Sequence, residues 1–205
     1  MKVRRYKIGI VDYGIGNISS LRYTLKNIGF DTILSSRREE LNICDALILP
    51  GVGAYQTAMK KLRDTKLDAY IRKIALQGKP ILGICLGMQL LGEESLENGK
   101  TEGLGLLPAK VIPLGDNKWH IGWNGIKQLN QQDSTQREDK DYYYFNHSYM
   151  MECDENIVVS YTYIPEKIIA AVKKDKITGL QFHPEKSQHA GKILLQTLLE
   201  ELINA

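Results

Sequence analysis

Apolar runs of four to seven residues alternate with amphipathic stretches through the first 91 positions, and the pattern changes after position 103. Residues 7–13 read as a buried strand, and Gly14-Ile-Gly-Asn17 as a turn in which Asn17 caps a helix to about position 28. Residues 30–34 and 44–50 form a second and a third strand, the latter apolar enough to be buried on both faces. Residues 55–76 have helical periodicity, broken near Asp64-Thr65 and closed by Gly78-Lys79-Pro80. A fourth strand at 79–84 runs at once into another helical pattern. Strands separated by helices predict an α/β fold with a doubly wound, mostly parallel, flavodoxin-like sheet.

The second half reads as short strands at 109–113, 120–126, 142–149, 157–163, 168–172 and 177–182. With no helices between them, they are expected to pair antiparallel, extending the sheet or forming a small accessory one. The wholly polar stretch 130–141 predicts a mobile surface hairpin. A closing helix over about 188–203 puts Leu194, Leu195, Leu198, Leu199 and Leu202 on one face, a core-packing stripe. The 205 residues, 43% of them hydrophobic, suffice for one substantial core, so positions 1–205 are expected to form a single domain.

Charge excludes more than it suggests. A net charge of +3 with acids and bases interspersed leaves no broad surface for nucleic acid. The clusters Lys2, Arg4, Arg5, Lys7 and Lys173, Lys174, Lys176 read as solvated strand ends. No apolar run is long enough to span a membrane. Three unevenly spaced cysteines fit a reducing compartment, and the cytoplasm is expected. Neither the cysteines nor the four histidines have the paired spacings of a zinc site, so no metal is expected. The glycines at 14 and 16 resemble part of a dinucleotide fingerprint. Ser19, however, stands where its third glycine belongs and no phosphate-loop lysine follows, so no cofactor is expected.

The chemistry concentrates in Gly83-Ile-Cys-Leu-Gly87, between the fourth strand and its helix. A sharp strand-to-helix turn needs small residues two positions before and after a nucleophile, and the helix that follows aims unpaired N–H groups at Cys85. Such a site favours thiolate over thiol. A cysteine nucleophile needs a base, and the base an orienting group. His183 follows the strand at 177–180, and Glu185 stands two residues on across Pro184. Pro50-Gly-Val-Gly53, at the carboxyl end of the third strand, lets backbone approach a ligand.

Taken together and in this order, Pro50-Gly-Val-Gly53, Gly83-Ile-Cys-Leu-Gly-Met-Gln89 and Gln181-Phe-His-Pro-Glu-Lys-Ser187 resemble the class I, triad-type glutamine amidotransferases. The resemblance spans nearly the whole chain. It implies that Cys85 attacks the side-chain amide of glutamine, His183 shuttles the proton and Glu185 orients the histidine. It implies an oxyanion hole from the Leu86 N–H and one N–H of the Gly51-Val52-Gly53 loop, at about 3 kcal/mol per donor. Gln89, Glu97, Ser148 and Tyr149 look like the family's glutamine-holding residues. A peptidase or deglycase-like hydrolase shares the elbow, but Gly87-Met-Gln89 and the late His183-Pro-Glu185 argue against it.

Asp12-Tyr-Gly-Ile-Gly-Asn17, His120-Ile-Gly-Trp-Asn124, Tyr144-Phe-Asn-His-Ser-Tyr149 and Pro184-Glu-Lys-Ser187 resemble one branch of the family. In it, the glutaminase forms a heterodimer with a (β/α)8-barrel cyclase or synthase subunit that takes the ammonia into histidine biosynthesis. Asn17, Trp123 and Lys186 would face that partner. Trp119 and Asn146 depart from the branch's pattern, and a synthase that aminates a surface-polysaccharide or nonulosonic-type sugar is the alternative partner.

Overall fold

In the computed structural model, which describes residues 5–115, 119–128, 141–163 and 167–205, the buried apolar runs become the middle of one sheet. Strands β1 (Lys7–Val11), β2 (Asp31–Ser35), β3 (Ala46–Leu49) and β4 (Ile81–Ile84) alternate with helices α1 (Ile18–Asn27), α2 (Arg38–Asn42), α3 (Tyr55–Asp64) and α4 (Leu67–Leu76). After β4 come α5 (Leu86–Leu90) and the short strands β5 (Glu94–Ser95) and β6 (Thr101–Glu102). The second half contributes β7 (Ala109–Pro113), β8 (His120–Gly125), β9 (Lys127–Gln128), β10 (Tyr142–His147), β11 (Tyr149–Cys153), β12 (Val158–Thr162), β13 (Ile168–Lys174) and β14 (Ile177–Leu180). Helix α6 (Gln188–Asn204) closes the chain.

The main sheet has the order β2-β1-β3-β4-β14-β13-β12-β9. Its first five strands are mutually parallel, and β13, β12 and β9 continue it antiparallel. The expected flavodoxin-like sheet with antiparallel additions is therefore present. Expected as antiparallel, β14 pairs that way with β13 but runs parallel to β4, because the chain returns to the sheet centre after the second-half strands.

Both faces are covered. Ala46, Ile48, Leu82 and Ile84 pack beneath α1 and α6, while Leu47, Leu49 and Ile81 pack against α3, α4 and α5. Each fully buried Leu or Ile contributes about 1.5–3 kcal/mol, which is why these short strands hold the centre. Of the leucines in α6, Leu195, Leu199 and Leu202 are fully buried, whereas Leu194 and Leu198 lie at the margin.

Two further expectations need correction. Asn17 occupies the cap position of α1, but its side chain makes no capping hydrogen bond, because a ψ of 71° is not the extended geometry a cap requires. The stretch 142–149 is not one strand. It bends at Ser148, so β10 pairs with β8 in a two-stranded sheet while β11 joins a four-stranded sheet of order β11-β7-β5-β6. The break at Asp64-Thr65 is as expected, made by Lys66 in the left-handed region at φ 56°. Lys2, Arg4 and positions 130–140 of the expected polar hairpin lie outside the described residues.

Candidate active site

The carboxyl ends of β3, β4 and β14 lie side by side and deliver the loop 50–53, Cys85 and the segment 181–185 to one rim. Cys85 has φ 55° and ψ −113°, an unfavourable conformation for a residue with a Cβ. Its N–H is held by the Leu180 carbonyl at 2.7 Å. The strain is maintained by close packing of the elbow. A Cβ on Gly87 would collide with the Leu49 carbonyl, and one on Gly83 would sit 2.6 Å from the Gly87 oxygen. Because α5 has only five residues, it offers Cys85 unpaired N–H groups, Leu86 first, rather than a long helix dipole.

His183 shares the cavity wall with Cys85, and its Nδ1 lies 2.9 Å from Glu185 Oε1. Both side chains of the His183–Glu185 pair are only 4% exposed. Burial opposes a charge on the ring, but the hydrogen bonds and negative charges of Cys85 and Glu185 outweigh it and raise the His183 pKa to about 9. The arrangement can therefore hold an imidazolium beside Cys85 at neutral pH. Ser187 fixes the turn: its Oγ donates to the His183 carbonyl at 2.6 Å and accepts from the Tyr144 N–H at 3.0 Å. Tyr13 fixes the loop opposite, donating to the Pro50 carbonyl at 2.6 Å. Burial and the neighbouring Cys85 both raise the Tyr13 pKa, so its hydroxyl remains a donor.

Cys85 and His183 open on a cavity of about 370 Å³ whose wall includes Val52, Gly53, Leu86, Gln89, Glu97, Ser148 and Tyr149. That volume suits a small polar molecule. Gly51 lies beneath the wall, packed against Leu86 and the Tyr13 hydroxyl, and so does not line the cavity as expected. Among the described residues, no group of three His, Cys, Asp or Glu could hold a metal ion.

Comparison with known proteins agrees with this geometry. Residues 9–200 match the family described as Glutamine amidotransferase class-I. The chain belongs to the class-I glutamine amidotransferase family. The amidotransferase is 45% identical over 201 residues to the imidazole glycerol phosphate synthase subunit HisH of Oceanobacillus iheyensis, covering 96% of this chain and 99% of that one. It is 44% identical over 200 residues to the protein of the same name from Lactococcus lactis, again covering 96% and 99%. A solved structure of PurLQS from Thermotoga maritima superposes with a TM-score of 0.76 over 97% of this chain and all of that chain, at 22% identity, a likeness of fold.

Around the amidotransferase's cavity, Glu97 accepts the Tyr55 N–H at 2.9 Å, so the first turn of α3 helps to hold its carboxylate. The indole of Trp119 donates to Asn146 Oδ1 at 2.8 Å, pairing the two residues that depart from the branch pattern, and both line the cavity. Trp123 stacks edge-on against Tyr144 at 5.8 Å, and Lys186 lies over the same ring at 5.4 Å. Asn17 is exposed at the start of α1, and further along that helix Ser20 Oγ reaches the Glu185 carbonyl at 3.4 Å. Motif reading assigned no role to Gln181, His147 or Ser187. All three stand inside the quoted motifs, and their polarity at otherwise buried strand ends was the available signal.

Proposed function

We propose that this chain is the glutaminase subunit of imidazole glycerol phosphate synthase, releasing ammonia from L-glutamine for a (β/α)8-barrel cyclase subunit in histidine biosynthesis. The observation that carries the reading is 44–45% identity along nearly the whole chain to two proteins bearing that synthase's name. Residues 1–205 act as one cytoplasmic domain in this reading. Among the described residues no helix is long and apolar enough to cross a membrane.

The Cys85 thiolate attacks the side-chain carbonyl carbon of glutamine, and the oxygen that becomes negative is met by the Leu86 N–H and one N–H of the 51–53 loop. His183 gives its proton to the departing nitrogen, and ammonia leaves a thioester on Cys85. The neutral imidazole then takes a proton from water, whose oxygen attacks the thioester. The tetrahedral adduct then collapses by expelling the sulfur as thiolate while the proton stays on the imidazole. The new carboxyl group loses its remaining proton to solvent, glutamate leaves, and the imidazolium–thiolate pair is restored. Glu185, whose side chain is as buried as that of His183, keeps the ring oriented and its charge balanced. The exposed aromatics of β8 and β10, with Lys186 and Asn17 beside them, form the face for the cyclase, and ammonia passes inward without meeting bulk water.

The test is glutamate release from glutamine by the purified chain, with and without the cyclase of the same genome and its ribulosyl nucleotide acceptor. Strong stimulation, abolished by Cys85→Ala, is expected. A correctly folded chain that the cyclase does not stimulate would shift the reading to the surface-sugar synthase as partner.

A further inference from the structure

Behind the cavity wall runs a chain of buried polar groups that the mechanism above leaves unused. It starts at the carbonyl oxygen of Tyr149. Strand β11 is the edge of its sheet, and the Leu114 N–H donates to the Ser148 carbonyl, so the Tyr149 carbonyl is turned away from β7. It receives side chains instead, His147 Nδ1 at 2.8 Å and Gln89 Nε2 at 2.9 Å.

A carbonyl only accepts, so His147 carries its hydrogen on Nδ1. Burial holds that ring neutral, pulling its pKa down to about 3, which leaves Nε2 bare. Facing it at 2.8 Å is His120 Nδ1, which must then bear the hydrogen. Burial lowers the His120 pKa as well. Its Nε2 is thus the acceptor for the Asn124 amide nitrogen at 2.5 Å.

The same carbonyl orients two amides on the other side. Gln89 Nε2 has two hydrogens, one for Tyr149 and one for Gln181 Oε1 at 3.1 Å. Having accepted through its oxygen, Gln181 turns Nε2 to Cys85 Sγ at 4.0 Å. Every donor and acceptor from Asn124 to the sulfur therefore follows from one backbone oxygen.

We propose that His147, held in its Nδ1–H tautomer by His120, is a positioning residue of the glutaminase site: it fixes the Tyr149 carbonyl and so the orientation of the Gln89 and Gln181 amides beside Cys85. A primary amide turns over at little cost when nothing holds it, and a reversed Gln89 would invert the polarity that the cavity presents to its ligand. The inference rests on the glutaminase reading for its kinetic consequence, but not for its tautomers.

The two parts are tested separately. In the ¹⁵N-labelled chain at pH 7, both His120 and His147 are expected as neutral Nδ1–H rings. An Nε2–H or doubly protonated His147 overturns the proposal whatever the activity. In the glutaminase complex, His147→Ala is expected to raise the KM for glutamine about tenfold, the worth of one lost hydrogen bond, with a much smaller change in kcat. His147→Asn, whose amide can donate from near the Nδ1 position, is expected to recover most of that loss. Equal damage from the two variants, or an unchanged KM in His147→Ala, overturns the positioning role. Absence of glutaminase activity in the unaltered protein would sink the functional reading while leaving the tautomer result to stand or fall alone.

Discussion

A buried histidine ordinarily loses its charge, and the contrast between His147 and His183 shows what reverses that. Burial, with His120 and His183 nearby, pushes His147 down to about 3 against the opposing hydrogen bond to the Tyr149 carbonyl. Burial acts on His183 too, yet Cys85 and Glu185 raise it to about 9. A pKa above the usual 6.5 means that the charge contributes stability below that value, and that the contribution is lost as pH rises through about 9. Glu185→Gln removes one raising partner while keeping its shape. The His183 ring, followed by NMR, is expected to titrate lower in this variant, and glutaminase kcat to fall by about a hundredfold or more. The stability advantage of the unaltered protein at pH 6 should shrink by pH 9.5. An unchanged titration would mean that the carboxylate is not the orienting group. Ser187 acts on the same histidine through its carbonyl. Losing both bonds in Ser187→Ala is expected to cost about 1–3 kcal/mol in thermal unfolding and to lower kcat more than it changes KM.

At the scale of elements, the site depends on two glycines, one in the elbow and one in the 50–53 loop, for different reasons. Gly87 has no room, since a Cβ there meets backbone of Leu49 and Pro50. Gly53 has room, with nothing within 4 Å of a built Cβ, but a φ of 92°. Gly87→Ala should therefore cost several kcal/mol, at least about 3, in urea unfolding, because β4 and α5 must separate from β3. Gly53→Ala should cost only about 1–2 kcal/mol of backbone strain, while altering the loop that faces the thiol. The reverse ranking would place the elbow's constraint in the wrong loop. The same distinction explains what could be read without coordinates. Strands β1, β3 and β4 are buried on both faces, so four or five apolar residues announced them, and the elbow's glycines announced the turn. Helix α2 and strands β5 and β6 are too short for any periodicity. The bend at Ser148 has no turn signal, because it is made by the Leu114 N–H reaching the Ser148 carbonyl from another strand. Cys85, His183 and Glu185 were legible because chemistry restricts their residue types. The chain from Asn124 to Gln181 was not, because its order exists only once β8, β10 and β11 are placed.

At the scale of the whole molecule, one surface among the described residues gathers several exposed apolar side chains. On β8, His120 and Asn124 are buried while Ile121 and Trp123 are 62% and 43% exposed, and Trp119 just before the strand is 64% exposed, so the strand is polar inside and apolar outside. Tyr142, on the paired strand β10, adds another exposed ring at 54%. An apolar outer face of this kind marks a protein contact, and it stands over the turn that carries His183, through Tyr144 and Lys186. Trp123 is the anchor to remove, because it packs on Tyr144 and contributes little to the core. Trp123→Ala is expected to leave the thermal midpoint of the isolated chain nearly unchanged. Its affinity for the cyclase should weaken about thirtyfold, the effect of losing one aromatic hot spot of about 2 kcal/mol. Calorimetric titration of the two purified subunits measures this directly. If the variant bound the cyclase as tightly as the unaltered chain, the partner would have to dock elsewhere, and the path of ammonia from Cys85 would need a different exit. If binding weakened while glutaminase activity at saturating cyclase was retained, Trp123 would serve assembly alone. The link from the docking face to the thiol would then run through Tyr144, whose carbonyl accepts the His183 N–H at 2.8 Å.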